Sequence, residues 1–463
     1  MVKRTTLLTS FALLAAAFAL AAVGCGGDEG GSAGEGTGNT EAEGVPELPE
    51  VTPLTSASCT DIEYGGEGDP HVLIASDMVL QGSSRTQTLQ IVEAIRQVLD
   101  SAGWKAGAVN VGFQSCDDST AQLGKWDPGK CSQNANAYAE NSSLLAVIGT
   151  FNSGCAAVEL PVLNQAPGGG LAMVSPANTY VCLTEGGPGC ADDEPERYYP
   201  SGTRNYVRVV AHDAYQGAAL AQLMQEQGTT KLYILNDKEA YGLGVATNVR
   251  GAAEHLGIEV LGFEAWDPRS TNYEALMNKI KESGADGVFL GGLTDENGAQ
   301  VIKDKVKVLG DNETVKLYMP DGFTQQSSID ESGVENTRGA FFSVAGVPIE
   351  EFGPAGQEFI DEFSTRVGDQ PVDPYGVYGA QAAQIVLEAI AKSDYTRAGV
   401  IEQLFATEVK DGFLGDFSFN ENGDPTLATG AVVGFTIFRG EEQLEVETSF
   451  SPEEAVVEAA RTG

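Results

Sequence analysis

Residues 144–176, LLAVIGTFNSGCAAVELPVLNQAPGGGLAMVSP, read as a strand, a helix and a second strand. LLAVIGT and LAMVSP are apolar, β-rich runs, and the stretch from Ala156 to Leu163 between them has the spacing of a helix. A helix that returns the chain between two such runs makes the strands parallel neighbours in one sheet.

The same alternation extends in both directions. HVLIASDMVL (71–80) precedes a helix-period stretch from Thr86 to Ser101, and VNVGFQ (109–114) leads through a loop into Asn134 to Glu140. A second series opens near Tyr206 with KLYILND (231–237) and a helix from Gly244 to Leu256. It continues through IEVLGFEAW, a helix from Tyr273 to Ser283, GVFLGG, a helix from Gly298 to Val308, and VKLYMPDG. Two such series predict an α/β chain of two similar lobes, each a parallel sheet flanked by helices, with a cleft between them.

The N-terminus carries an address. Lys3 and Arg4 precede a predominantly apolar run from Leu7 to Val23, which ends in Ala21-Ala22-Val23-Gly24 before Cys25. This is the pattern of a secretory signal peptide with a lipobox-like site, although Ala22 stands where leucine is usual. A diacylglyceryl-modified Cys25 would tie the mature chain to the extracytoplasmic face of the membrane. An ordinary cleaved signal and an uncleaved anchor helix are the competing readings. Residues 26–58 are rich in Gly, Ser, Thr, Glu and Pro and are expected to form a flexible acidic linker.

A formal net charge of −39 argues against nucleic-acid or anionic-lipid partners, which require a basic patch. Apart from Cys25 there are six cysteines, an even number that suggests disulfides in an exported chain. Cys182 and Cys190 bracket LTEGGPG and are the best single pair. No Cys-x-x-Cys spacing occurs, and His71, His212 and His255 stand apart, so neither a metal nor another cofactor is expected. Gly242-Leu243-Gly244 opens like a dinucleotide fingerprint, but Thr247 stands where the third glycine belongs. No Gly-x-Ser-x-Gly elbow or His-Glu-x-x-His motif is present, which gives no signal for an enzyme.

The stretch 149–184, GTFNSGCAAVELPVLNQAPGGGLAMVSPANTYVCLT, resembles the core of the leucine/isoleucine/valine-binding proteins, the type I periplasmic-binding fold of ABC importers. NDKEAYGLG, GADGVFLGGLTDENG, YMPDGF, PYGVYGAQAAQIVLEAI and GDFSFNENGDP follow in the family's order, and together they span about residues 70–445. The resemblance implies a site. Ser153, Ala177 and Thr179 match residues that hold an amino acid's carboxylate and ammonium. Tyr241 matches a tyrosine that covers the ligand from the other lobe, and Asp321 an acid that pairs with its ammonium. Physics supports two of these roles independently: Ser153 stands after a strand and before a helix, whose free N–H groups suit a carboxylate, and a buried carboxylate selects amino compounds. The competing readings are that Ser153 only caps its helix and that Pro-Asp-Gly is an ordinary turn. The segment Ser83-Ser84-Arg85-Thr86 and the sequence Gly291-Gly292-Leu293-Thr294 depart from the family's aromatic positions. Arg85 either binds an acid on the ligand or pairs with surface carboxylates.

The chain is therefore expected to be a lipid-anchored, monomeric solute receptor for a small amino-acid-like ligand, working with ABC permease subunits. Lobe I is expected over 69–207 plus 344–409 and lobe II over 208–343 plus 410–446, joined by three hinge crossings, with 447–463 as a C-terminal segment. A receptor coupled to signalling is the alternative, and a hydrolase on the same scaffold the third reading.

Overall fold

The computed structural model describes residues 47–368, 370–426 and 434–463. Cys25, with the expected leader and lipidation site, lies outside these residues, as does most of the acidic stretch.

In the first half the strands are β1 (Val72–Met78), β2 (Lys105–Ala106), β3 (Val109–Asp117), β4 (Ser119–Thr120), β5 (Lys125–Trp126), β6 (Leu144–Gly149), β7 (Ala172–Ser175) and β8 (Tyr206–Arg208). All but β4 and β5 form one sheet in the order β2-β3-β1-β6-β7-β8, parallel from β3 onward. Every residue of β1 is buried, as a strand covered by helices on both faces must be. The helices Arg85–Ser101, Pro128–Glu140 and Ser153–Asn164 make the crossovers.

The second half contributes β9 (Lys231–Asn236), β10 (Glu259–Ala265), β11 (Gly287–Gly291), β12 (Lys316–Met319), β13 (Phe341–Ala345), β14 (Glu408–Gly412), β15 (Gly415–Ser418), β16 (Phe435–Gly440) and β17 (Leu444–Phe450). The second sheet runs β10-β9-β11-β12-β13-β16-β17. It is parallel as far as β13, but β16 and β17 are antiparallel additions, so this sheet is mixed. The connection between β16 and β17 is too short for a crossover helix and permits only a hairpin. The helix Glu454–Thr462 then packs on the helices Asp213–Glu226 and Ala240–His255, so the C-terminal segment belongs to the second lobe.

The chain passes between the sheets three times: after β8, after β13, and between β15 and β16. A boundary at 409/410 would divide the β14–β15 hairpin, yet the hairpin packs as a unit on the first lobe. Leu414 N–H donates to Gln381 Oε1 at 3.1 Å, and Leu414 and Phe417 join that lobe's core.

Part of the stretch read as linker is docked. Leu54 is buried with its N–H on Gln114 Oε1 at 2.8 Å, Ser56 Oγ donates to Asn134 at 2.7 Å, and Cys59 is disulfide-bonded to Cys116. The other disulfides are Cys131–Cys155 and Cys182–Cys190. Among the described residues no helix is long and apolar enough to cross a membrane.

Candidate functional site

Each sheet has one place where the strand order reverses, and crevices at the carboxyl ends of strands form there. In the first sheet, β3 and β6 lie on opposite sides of β1, so the crevice falls between the segments following Met78 and Gly149. In the second, β10 and β11 flank β9, and the crevice falls between the segments following Asn236 and Gly291. The two crevices face each other. Ser83 N–H donates to Asp295 Oδ1 at 3.0 Å, Ser84 Oγ to Asp295 Oδ2 at 2.7 Å, and Lys125 pairs with Glu296 across the gap.

On the first-lobe side, Ser153 is the first residue of its helix, three residues earlier than the periodicity indicated. Asn152 takes the N-cap position. The Ser153 hydroxyl does not cap; it accepts the Tyr180 N–H at 3.3 Å. The earliest N–H groups of this helix therefore keep their positive end toward the crevice. The turn Ser175–Thr179 is tied to the same loop, because Asn178 Nδ2 donates to the Thr150 and Phe151 carbonyls at 2.8 and 3.0 Å. Arg208, fully buried, donates to the Asn178 and Tyr180 carbonyls at 3.0 and 2.9 Å and to Asp424 Oδ1 at 2.6 Å. It anchors the turn carrying Ala177 and Thr179 to the third crossing. Ala177 and Thr179 are both buried.

On the second-lobe side, the helix Ala240–His255 starts four residues before the expected Gly244, which puts Tyr241 in its first turn. Its glycines serve close packing. A Cβ at Gly242 would lie 2.1 Å from Asp237 Oδ1, and one at Gly244 2.6 Å from the Tyr180 ring. The Tyr241 hydroxyl donates to Asp321 Oδ1 at 2.6 Å and accepts the Gly322 N–H at 3.1 Å. Asp321 follows β12 in a tight turn. From the first lobe, Tyr375 in the opening turn of the helix Pro374–Lys392 donates to Asp321 Oδ2 at 2.8 Å. Burial pushes the Asp321 carboxyl up, while the Tyr241, Tyr375 and Gln216 side chains oppose the shift.

Tyr241 and Asp321 are thus in direct contact, whereas no hydrogen bond among the described residues joins Ser153 or Ala177 to Asp321. Thr179 reaches the acid through an intermediary that sequence reading missed: its carbonyl accepts the Asp213 N–H at 2.8 Å, and Asp213 lies within the field of Asp321. Tyr375 was missed too. It lies in the quoted PYGVYG, where a tyrosine after Pro374 reads only as a helix start. Leu293 packs in the core with Tyr241, and Thr294 shares a hydrogen bond with Ser328 at 2.5 Å. Arg85 is exposed and forms no ion pair among the described residues, so the expected surface pairing is not made. A polar recess of about 710 Å³ opens at the cleft mouth beside Ser83, Gly124, Arg269 and Asp295. Of the described residues, the two groups spaced like metal ligands, Asp118 with Cys131 and Cys155, and Glu194 with Cys182 and Cys190, draw on disulfide sulfurs and offer no thiolate.

A family model described as periplasmic binding protein matches residues 77–433. The Leu/Ile/Val-binding protein homolog 1 of Brucella abortus (strain 2308) is 25% identical over 400 residues, covering 82% of this chain and 93% of its own length. Among solved structures, the leucine binding protein LivK from Thermotoga maritima MSB8 aligns with a TM-score of 0.68 at 19% identity, over 82% of this chain and 99% of its own. A solute binding protein from R. palustris in complex with benzoate aligns with 0.65 at 16%, over 83% and 98%. These structural likenesses establish a shared two-lobed fold.

Proposed function

Since the chain belongs to the periplasmic binding protein family, we propose that it is an extracytoplasmic receptor that closes on a small amino-acid-like molecule and presents it to an ABC importer. The observation that carries this reading is the grip on Asp321, a buried acid of one lobe held by Tyr241 of the same lobe and Tyr375 of the other. An acid kept at the junction of two lobes suits a ligand whose ammonium completes the junction. At the other end of the crevice, the N-terminus of the Ser153 helix suits a carboxylate. Ser153, Ala177, Thr179, Tyr241 and Asp321 are the proposed contacts.

The ligand would enter while the lobes are apart and be enclosed when Ser83 and Ser84 meet Asp295. The lobes are those outlined from the sequence, with the β14–β15 hairpin assigned to the first. Permease subunits would read the closed form, and Cys25 would carry the lipid anchor of a monomer. The relatives named for leucine, isoleucine and valine support an aliphatic amino acid. The benzoate complex on the same fold favours a specific second reading, an aromatic acid without an amine. The hydrolase reading lacks support, because the Ser153 hydroxyl is engaged by a backbone N–H and no histidine is hydrogen-bonded to it among the described residues.

Thermal shift with the common L-amino acids, small amides and amines, and benzoate tests the proposal. A binder at a hundredfold excess over Kd stabilises the folded state by about 2.7 kcal/mol. Stabilisation by an amino compound is expected. Stabilisation by benzoate alone would overturn the amino-compound reading.

A further inference from the structure

We propose that Asp213 is a second carboxylate for the ligand's amino end, so that the cleft holds a primary ammonium between two acids. The inference rests on the amino-compound reading above and extends it to a residue that the resemblance did not supply.

Asp213 is the first residue of the helix Asp213–Glu226, directly after the first crossing between the lobes. Its side chain is 0% exposed; neither carboxylate oxygen has a donor within 3.5 Å, and the Thr179 hydroxyl is the one side-chain donor that acts on it. Its surroundings are acidic. Asp321 is the neighbouring charge that acts on it most strongly, and Tyr241, already bonded to Asp321, lies within the field of both acids. Arg208 acts on Asp213 only at a distance, because its guanidinium donates to Asp424, Thr184 and the Asn178 and Tyr180 carbonyls. Gln216 Oε1 is a further buried oxygen without a donor, and Thr179 Oγ1 makes no hydrogen bond within 3.5 Å.

Buried acceptors without donors are costly. What this set lacks is a compact group rich in N–H, and a primary ammonium supplies three. Asp321 accepts one hydroxyl on each of its oxygens already, so Asp213 is the emptier of the two acids. A helix-dipole role alone would not account for it. A first-turn acid serves the dipole equally well with its oxygens on solvent or on the local N–H groups, and Asp213 has neither. Burial and the Asp321 charge push its carboxyl well above the ordinary range, with Thr179 and Arg208 opposing, and a cation between the two acids would reverse that push. The class selected is primary amines; tertiary and quaternary amines, and acids without an amine, leave Asp213 unpaired.

The test is calorimetry of L-leucine, L-isoleucine, L-valine and L-alanine with the wild type and with Asp213→Asn. Asp213→Ser serves as a second variant should the first not fold. The expected result is at least about a tenfold loss of affinity, the order found when one partner of a buried charge pair is truncated. The Tm without amino acid should stay level or rise, because a buried acid without a partner has been removed. Affinity within about threefold of wild type, less than 1 kcal/mol by the usual conversion, would overturn the proposal. So would a loss of affinity matched by a drop in that Tm, which marks a structural residue. If none of the four amino acids binds the wild type, the fault lies with the amino-compound reading itself, and this inference falls with it.

Discussion

Tyr375→Phe removes one oxygen and nothing else, yet that oxygen lies on the junction between the lobes. Its O–H donates at 2.8 Å to Asp321 Oδ2, with Tyr375 in the first lobe and Asp321 in the second, so the bond exists only while the lobes are together. A hydrogen bond to a charged group contributes about 1.5–3 kcal/mol. The edge-on packing of the ring against Phe151, at 5.9 Å between centroids, survives the change, so the loss is close to that of the bond alone. Because the bond stabilises closure, its loss lowers the population of the closed form and raises the apparent Kd in proportion. At about 1.4 kcal/mol per decade, the expected weakening is roughly tenfold to a hundredfold. Calorimetry with a stabilising amino acid gives the affinity, and small-angle scattering of the free protein gives the distribution between open and closed forms. The variant should scatter as a more open particle while its far-UV dichroism is unchanged. Affinity and scattering equal to wild type would refute the reasoning, since the hydroxyl would then stabilise neither closure nor binding.

Asp321→Asn keeps the shape but removes the charge; loss of a buried charge partner costs about 2–5 kcal/mol, so affinity for an amino compound should fall at least roughly thirtyfold by calorimetry. Unchanged binding would reduce Asp321 to a turn residue. Stability should rise on mild acidification. Burial pushes Asp373 up to about 6 and raises Asp213, Asp237 and Asp321 as well, so below these values the folded chain binds more protons than the unfolded one. The contribution of each is complete below its unfolded pKa and is lost as pH rises through the folded value, about 3 kcal/mol for Asp373. Thermal midpoints should therefore be higher near about pH 5 than at pH 7, and a steady fall over that interval would contradict the burial argument. Cys25→Ala should release the protein from the membrane fraction; a variant that stays membrane-bound, or wild type without acyl mass at its N-terminus, would remove the lipid anchor.

The sheets were legible because their strands are buried on both faces, so LLAVIGT and KLYILND read as unbroken apolar runs. Strands β16 and β17 were not. β17 is largely exposed, and its LEVETSF carries no continuous apolar signal. The site was partly legible. Ser153, Ala177, Thr179, Tyr241 and Asp321 came with the resemblance, and the expected starts of two helices were several residues late because Asn152-Ser153 and Glu239-Ala240 give no apolar periodicity. Asp213 and Tyr375 depend on the meeting of segments more than fifty residues from Asp321, which no local pattern reports. A hint for Asp213 was available: a single acid directly after the run YVRVVAH, where the chain leaves one sheet for the other.

The Cys59–Cys116 bond also settles how the molecule bears load. The segment from Leu54 to Cys59 is bolted to β3, in the interior of the first sheet, with Leu54 and Ser56 spreading the attachment across neighbouring side chains. Tension applied to this segment would therefore end in the first lobe, at a covalent fixing that neither frays nor slides. The second lobe is joined covalently to the first through the three crossings and lies outside that path. A pull applied upstream of Leu54 would thus load the first lobe and leave the crossings between the lobes unstrained.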